Sequence, residues 1–319
     1  MPPRFVPAAW LRHAHLQTIF ASLFARPSQV VLRRERWETP DGDFVDVDFS
    51  DGPGTAPWVH LFHGLEGSAQ SSYARALMSH LAARGWRGSV LHFRGCSGEP
   101  NRLPRAYHSG DSAEVDWVLR RLRERLPGAR LYAAGVSLGG NALAKWLGER
   151  GEGAREVIDA AAAVCAPLDL MAAGEALERG FSIAYTRHFL GTLKASALAK
   201  LERFPGIFDA RLVRASRTLR EFDNVVTAPL HGFRDTDDYW TRASSKPWLA
   251  SIRVPTLVLN ARDDPFLPER ALPSSGEVSP AVTLEFTDRG GHVGFVSGPF
   301  PGNIDWLPRR LLHFFEHRE

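Results

Sequence analysis

Three residues far apart in the chain stand in contexts suited to nucleophilic catalysis: Ser137, Asp264 and His292. Ser137 is the centre of Gly135-Val136-Ser137-Leu138-Gly139, with an apolar run before it and Gly140 and Asn141 after it. A strand that reverses sharply into a helix forces the residue at its apex into a strained backbone conformation, and side chains two positions to either side would collide. Gly135 and Gly139 remove those side chains. The serine hydroxyl is then lifted above the sheet edge, while the helix starting at Leu138 aims its free amides and positive dipole end at the same point. This is the pattern of a nucleophile elbow. The bland alternative, a small-residue turn without chemistry, accounts less well for a strand before and a helix after.

An attacking serine needs a base and an acid that orients the base. Residues 254–260 read as a buried strand and lead into Asp263-Asp264-Pro265-Phe266, where either carboxylate could serve; Asp264, directly before the Pro-Phe turn, is preferred, and Asp263 is expected to tie the loop down. Of the twelve histidines, His292 has the best context, between Gly291 and Gly294 after a final strand at 282–287, where little would obstruct its swing towards Ser137. The chain order Ser, Asp, His is the one expected when an elbow serine heads the set. His63-Gly64-Leu65-Glu66-Gly67 follows another buried strand, 58–62, and its glycines let backbone approach a ligand. The Leu65 and Leu138 amides are the expected oxyanion donors. His63 itself, before a tight turn, suits a loop-holding role better than that of a base.

The surrounding pattern supplies the scaffold. Residues 29–37 and 44–49, joined by a turn containing Asp41-Gly42, predict an antiparallel pair at the sheet's edge. Buried strands at 58–62, 88–93, 131–136, 157–164, 254–260 and 282–287 alternate with helices at 71–84, 111–125, from 138 onward and 304–315. Asp111 with Glu114 reads as a capping box. That alternation predicts an α/β fold with a mostly parallel central sheet and helices on both faces. It stops between 168 and 249, a helical stretch read as a cap inserted in a core made of 1–167 and 250–319. A cap after a core strand would lie over the strand ends and shape an acyl pocket; the alternative is that it packs only on the sheet flank. Within the N-terminal extension, 1–28, Leu16, Ile19, Phe20, Leu23 and Phe24 share a helical face expected to pack on the body. With Arg4, Arg12 and Arg26 nearby, peripheral contact with a membrane surface is the other reading.

Composition excludes several classes. The 319 residues are 44% apolar and 24% charged, enough for a full core. Net charge is only +3 and no Lys/Arg run tracks a phosphate backbone, so nucleic-acid binding has no support. Two cysteines, Cys96 and Cys165, are too few for a disulfide framework, and no His/Asp/Glu/Cys cluster has ligand spacing, so no metal or cofactor is expected. No apolar span of membrane length and no leader-like segment is evident, which predicts a cytoplasmic protein.

Taken together, His15-Leu16-Gln17-Thr18, the stretch from His63 to Ser68, Phe93-Arg94-Gly95-Cys96-Ser97-Gly98 with Glu99-Pro100-Asn101-Arg102, Tyr107-His108-Ser109-Gly110, the Ser137 elbow through Asn141, Asp263-Asp264-Pro265-Phe266 and the stretch from Gly290 to Phe295 resemble the α/β-hydrolase superfamily. Within it the chain is similar to the YheT-like hydrolases, bacterial relatives of eukaryotic abhydrolase-domain lipases and yeast medium-chain ester acyltransferases. The resemblance spans nearly the whole chain and implies the same Ser137, Asp264 and His292 triad. No stretch matches the membrane anchor of the eukaryotic members, so the resemblance carries over ester chemistry without their lipid substrates. The expected function is a carboxylic ester hydrolase working through an acyl-enzyme on a small-molecule ester, with an apolar acyl chain. An acyltransferase with the same triad is the alternative. A non-catalytic binding module would have lost one of the three residues, and none is lost.

Overall fold

The computed structural model describes residues 3–25 and 29–317. Eight strands form its sheet: β1 (Arg33–Glu38), β2 (Phe44–Ser50), β3 (Trp58–Phe62), β4 (Arg87–His92), β5 (Leu131–Val136), β6 (Ala160–Val164), β7 (Thr256–Ala261) and β8 (Val282–Thr287), in the order β1-β2-β4-β3-β5-β6-β7-β8. The first two pairings are antiparallel and the other five parallel. Helices α1 (Ala14–Leu23), α2 (Ser72–Ala83), α3 (Ser112–Arg125), α4 (Leu138–Arg150) and α11 (Trp306–His317) belong to this core. Between β6 and β7 lie only helices and short turns: α5 (Leu170–Leu177), α6 (Ser182–Arg203), α7 (Ala210–Ala215), α8 (Leu219–Val225), α9 (Thr227–Leu230) and α10 (Thr236–Ala243).

The central strands are wholly buried because both faces are covered. Leu131, Ala133, Ala161, Ala163 and Val258 join one core with α3 and α4. Their alternate neighbours Tyr132, Ala134, Ala162, Leu257 and Leu259 join the other with α2 and α11. A period of two thus sorts a continuous apolar run into two cores.

Several sequence expectations shift. The first strand begins at Arg33 rather than 29, and Val157 and Ile158 lie before β6, following a 3-10 turn (Gly151–Glu156). At α3 half the capping box forms: Asp111 accepts the Glu114 amide, but the Glu114 carboxylate is taken by the buried Arg94 at 2.6 Å. The largest correction concerns α1. Its buried residues are Gln17, Thr18 and Ala21, while Leu16, Leu23 and Phe24 are exposed and Ile19 and Phe20 only half-buried. The surface that α1 meets is backbone of the 290–296 loop, whose amides and carbonyls require polar partners. Arg26, part of the basic fringe read from sequence, lies outside the described residues.

Candidate active site

Ser137 caps α4 with φ +52° and ψ −120°, a conformation costing about 1–3 kcal/mol that the neighbouring packing must impose. A Cβ on Gly135 would come within 2.4 Å of the Gly139 carbonyl oxygen, and one on Gly139 within 2.4 Å of the Phe62 oxygen. No side chain fits at either place. The Ser137 amide donates to the Val164 carbonyl at 2.8 Å, so the elbow is pinned between the ends of β3 and β6.

His292 arrives on a loop held from several sides. Its own amide donates to Thr18 Oγ1 at 2.9 Å, the Gly291 amide donates to Asp263 Oδ1 at 2.9 Å, and the Val293 amide reaches Cys165 Sγ at 3.4 Å. The ring stacks on Phe266 with centroids 4.1 Å apart. Asp264 accepts the Phe266 amide on Oδ1 at 2.8 Å, leaving Oδ2 to accept a hydrogen bond from His292 Nδ1 at 2.8 Å. With Nδ1 protonated, Nε2 is the acceptor facing Ser137 Oγ at 3.0 Å. The structure therefore brings Ser137, His292 and Asp264 into one line and places Asp263 beside the loop instead.

His63 is fully buried, and its ring is bonded to neither Ser137 nor Asp264. Its Nδ1 donates to the Gly64 carbonyl at 2.7 Å and its Nε2 accepts the Phe93 amide at 3.1 Å, stapling the loops after β3 and β4. Burial pushes its pKa down to about 3, which keeps the ring neutral.

The loop after β3 also shows how Leu65 is presented. The Gly64 amide donates to the Tyr73 hydroxyl at 2.8 Å and the Glu66 amide to the Tyr107 hydroxyl at 2.9 Å. The amide between them, that of Leu65, has no partner among the described residues. Glu66 has φ +54°, and its carboxylate accepts from the Tyr107 hydroxyl at 2.8 Å. Tyr107 is in turn stacked on Phe93 at 5.3 Å. Burial raises both phenols, so they remain protonated donors and acceptors. Leu138, the first residue of α4, has no preceding turn to bond its amide. A Cβ on Gly64 would lie 3.1 Å from Ser137 Cβ, so this loop and the elbow are in contact.

Other motif residues prove to be staples. Asn141 donates to the Ser109 and Ala243 carbonyls, both at 2.8 Å, and accepts the Ser245 amide, joining α4 to the 107–110 loop and the end of the helical segment. Asn101 accepts the Gly95 amide and donates to Phe44 O and Asp43. Sequence reasoning assigned no role to Tyr73, Tyr107, Gln17, Thr18 or Cys165. For Tyr107, Gln17 and Thr18 the available signal was membership of the resembling stretches; for Tyr73 and Cys165 there was none.

One group of potential metal ligands occurs among the described residues, Cys165, Asp264 and His292, with ligand atoms within 4.8 Å of one another. It escaped the spacing argument because its members come from three different strand ends. The carboxylate and imidazole are already bonded to each other, and burial together with the Asp264 charge raises the Cys165 thiol well above its usual range, which disfavours the thiolate a metal would need.

A cavity of about 540 Å³ opens onto Ser137, Leu65 and His292 and runs between the sheet and the helical segment, walled by Leu177, Phe189, Leu193, Phe222, Val226 and Phe266.

A mostly parallel sheet with a strained serine at a strand-to-helix turn, and a histidine and aspartate delivered from later strand ends, defines a hydrolase fold. The alpha/beta hydrolase fold family matches residues 57–299, and the chain belongs to it. It is 43% identical to YheT of Escherichia coli (strain K12), over 96% of this chain and 91% of that protein. It is 31% identical to phospholipase ABHD3 of Mus musculus, over 98% and 78% of the two chains. The medium-chain fatty acid ethyl ester synthase/esterase 2 of Saccharomyces cerevisiae is 32% identical, over 81% and 62%. Among solved structures, the Pyrococcus furiosus esterase Pf2001 superposes with a TM-score of 0.57 at 17% identity, covering 99% of this chain and 98% of that one, a likeness of fold. No helix among the described residues is long and apolar enough to cross a membrane.

Proposed function

We propose that this chain hydrolyses carboxylic esters through an acyl-enzyme formed on Ser137. The observation that carries the proposal is the continuous line of hydrogen bonds from Ser137 Oγ through His292 to Asp264. As Ser137 Oγ attacks the ester carbonyl carbon, its proton passes to His292 Nε2, and the carbonyl electron pair moves onto oxygen. That oxyanion is received by the Leu65 and Leu138 amides. Collapse of the intermediate expels the alcohol, which takes the proton from Nε2. Water then repeats the sequence and frees the acid. Asp264 holds the Nδ1 proton throughout and steadies the imidazolium. No cofactor enters these steps.

In this reading residues 168–249 are a cap on a core of 1–167 and 250–319, and the apolar walls of the cavity receive the acyl chain. Hydrolysis of p-nitrophenyl esters of increasing chain length tests it. Each methylene that enters the cavity is worth up to about 0.8 kcal/mol, or roughly fourfold in kcat/KM, until the space is filled. A climb followed by a fall is expected; a profile flat from acetyl to octanoyl would remove the acyl pocket from the account. The name of the yeast relative favours a second reading, in which an alcohol replaces water as acyl acceptor. Product analysis with competing ethanol separates the two: ester formed in excess of acid supports transfer.

A further inference from the structure

Helix α1 is packed with its polar side inward. Gln17 is fully buried: its Nε2 donates to Leu11 O at 2.6 Å and Val296 O at 3.1 Å, and its Oε1 accepts the Val296 amide at 2.7 Å. Thr18 accepts the His292 amide. The opposite side presents Leu16 and Leu23, 51% and 69% exposed, and Phe24, just past the end of the helix, is 64% exposed. A helix facing water would be arranged the other way round.

The exposed apolar surface extends beyond α1. Trp10 contacts Phe20 at 5.0 Å and Phe300 at 5.2 Å, and Phe300 is 76% exposed; Phe20 contacts Phe24 at 5.6 Å. On its other side, the His15 ring meets the exposed Phe181 at 4.6 Å and Tyr185 at 5.7 Å. From Tyr185 the rings continue through Phe266 at 4.8 Å to His292. Ring contacts thus link the exposed rim of the molecule, through the half-buried Tyr185 and the buried Phe266, to the histidine of the site. Arg4, Arg12 and Arg289 stand exposed in the same segments, with no ion-pair partner among the described residues. The Arg289 guanidinium donates to the Arg12 carbonyl at 2.9 Å, which ties two of these charges together. Of the neighbouring acids, Asp288 lies 4.0 Å from Arg262, and Asp263, half-buried beside the site, feels the Arg289 charge.

We propose that this surface docks on an anionic lipid bilayer, so that an apolar ester reaches the site from the membrane. Exposed aromatic and leucine side chains would enter the boundary between headgroups and acyl chains, and the arginine fringe would meet the negative headgroups. A second copy of the chain fits less well, because a two-fold contact would bring identical arginine fringes face to face. The route for the ester rests on the esterase reading above; the docking itself does not, and it is measured without turnover.

The test is co-sedimentation of the full chain with vesicles of equal parts phosphatidylcholine and phosphatidylglycerol, using wild type, Leu23→Glu/Phe24→Glu, Arg12→Gln/Arg289→Gln and Ser137→Ala. Wild type and Ser137→Ala should bind alike. The apolar double variant should bind about tenfold or more weakly, from the area it removes. The arginine double variant should lose the preference for these vesicles over pure phosphatidylcholine. Turnover of a water-soluble short-chain ester by Leu23→Glu/Phe24→Glu should equal that of wild type, showing an intact fold. Failure of wild type to bind, or equal binding by the apolar variant, overturns the proposal. A dimer in sedimentation velocity that the apolar variant dissociates also overturns it and makes the surface a self-interface. If Ser137→Ala binds vesicles while no ester is turned over by wild type, docking stands and the esterase reading falls.

Discussion

Replacing Asp264 by asparagine should damage turnover far more than the same change at Asp263, and the hydrogen bonds show why. Both oxygens of Asp264 are committed, Oδ1 to the Phe266 amide and Oδ2 to His292 Nδ1, each at 2.8 Å. Asparagine offers one acceptor and one donor in their place. With its oxygen kept towards Phe266, the new amide group faces Nδ1, and the ring must carry its proton on Nε2, where it can no longer accept the Ser137 proton. With the amide flipped, two N–H donors meet in a site whose carboxylate is buried, leaving an unsatisfied group that costs about 1–3 kcal/mol. The first arrangement loses the base; the second keeps it, but only at that cost. The serine-protease precedent puts the loss at about 10⁴ in kcat, equivalent to roughly 5 kcal/mol. Asp263→Asn keeps an oxygen for the Gly291 amide and should cost less than about tenfold, since burial penalises the Asp263 charge and raises its pKa. Steady-state kcat and KM for p-nitrophenyl butyrate, with circular dichroism to confirm folding, measure both. Equal losses, or a larger loss at Asp263, would refute the assignment of the orienting acid.

Two further outcomes follow from the walls of the site. Tyr107→Phe removes the acceptor of the Glu66 amide but keeps the ring on Phe93, so kcat should fall about tenfold with KM little changed; an unaltered kcat would mean that the Leu65 amide is held by other contacts. Asp223, deep in the cavity wall between Trp240 Nε1 and Thr227 Oγ1, has its pKa raised from 3.8 to about 6 by burial. A folded-state pKa above the unfolded value makes an acid lose stability as pH rises from about 4 to 6. Asp223→Asn should therefore be more stable than wild type at pH 8 and indistinguishable from it below pH 4, in thermal melts across that range; a difference that persists at pH 3.5 would point to lost hydrogen bonds instead.

The core is legible in the sequence because its signals are local. The apolar runs that become β5 and β7, the Gly135 and Gly139 pair, and the cap of α3 are each decided within a few residues. Where local and distant forces compete, the reading changes. The apolar face of α1 has the correct period, yet Gln17 and Thr18 go inside because backbone groups 274 and 279 residues away require them. Glu114 leaves its capping role for Arg94, 20 residues back. The partners of the Leu65 loop are similarly remote: Tyr107 is 41 residues from Glu66, and no window of periodicity can pair them. Ser137, Asp264 and His292 can be proposed from sequence because each sits beside its own turn-forming glycine or proline. Their mutual distances, and the rank of Asp264 over Asp263 at the ring, belong to the fold.

The central claim is that Ser137 is the nucleophile, and its most direct test is covalent. Incubation with a fluorophosphonate followed by peptide mass spectrometry should place the phosphonyl group on Ser137 alone, and Ser137→Ala should neither label nor hydrolyse esters above the residual oxyanion-hole level. An adduct on another residue, or undiminished labelling of Ser137→Ala, would contradict the account.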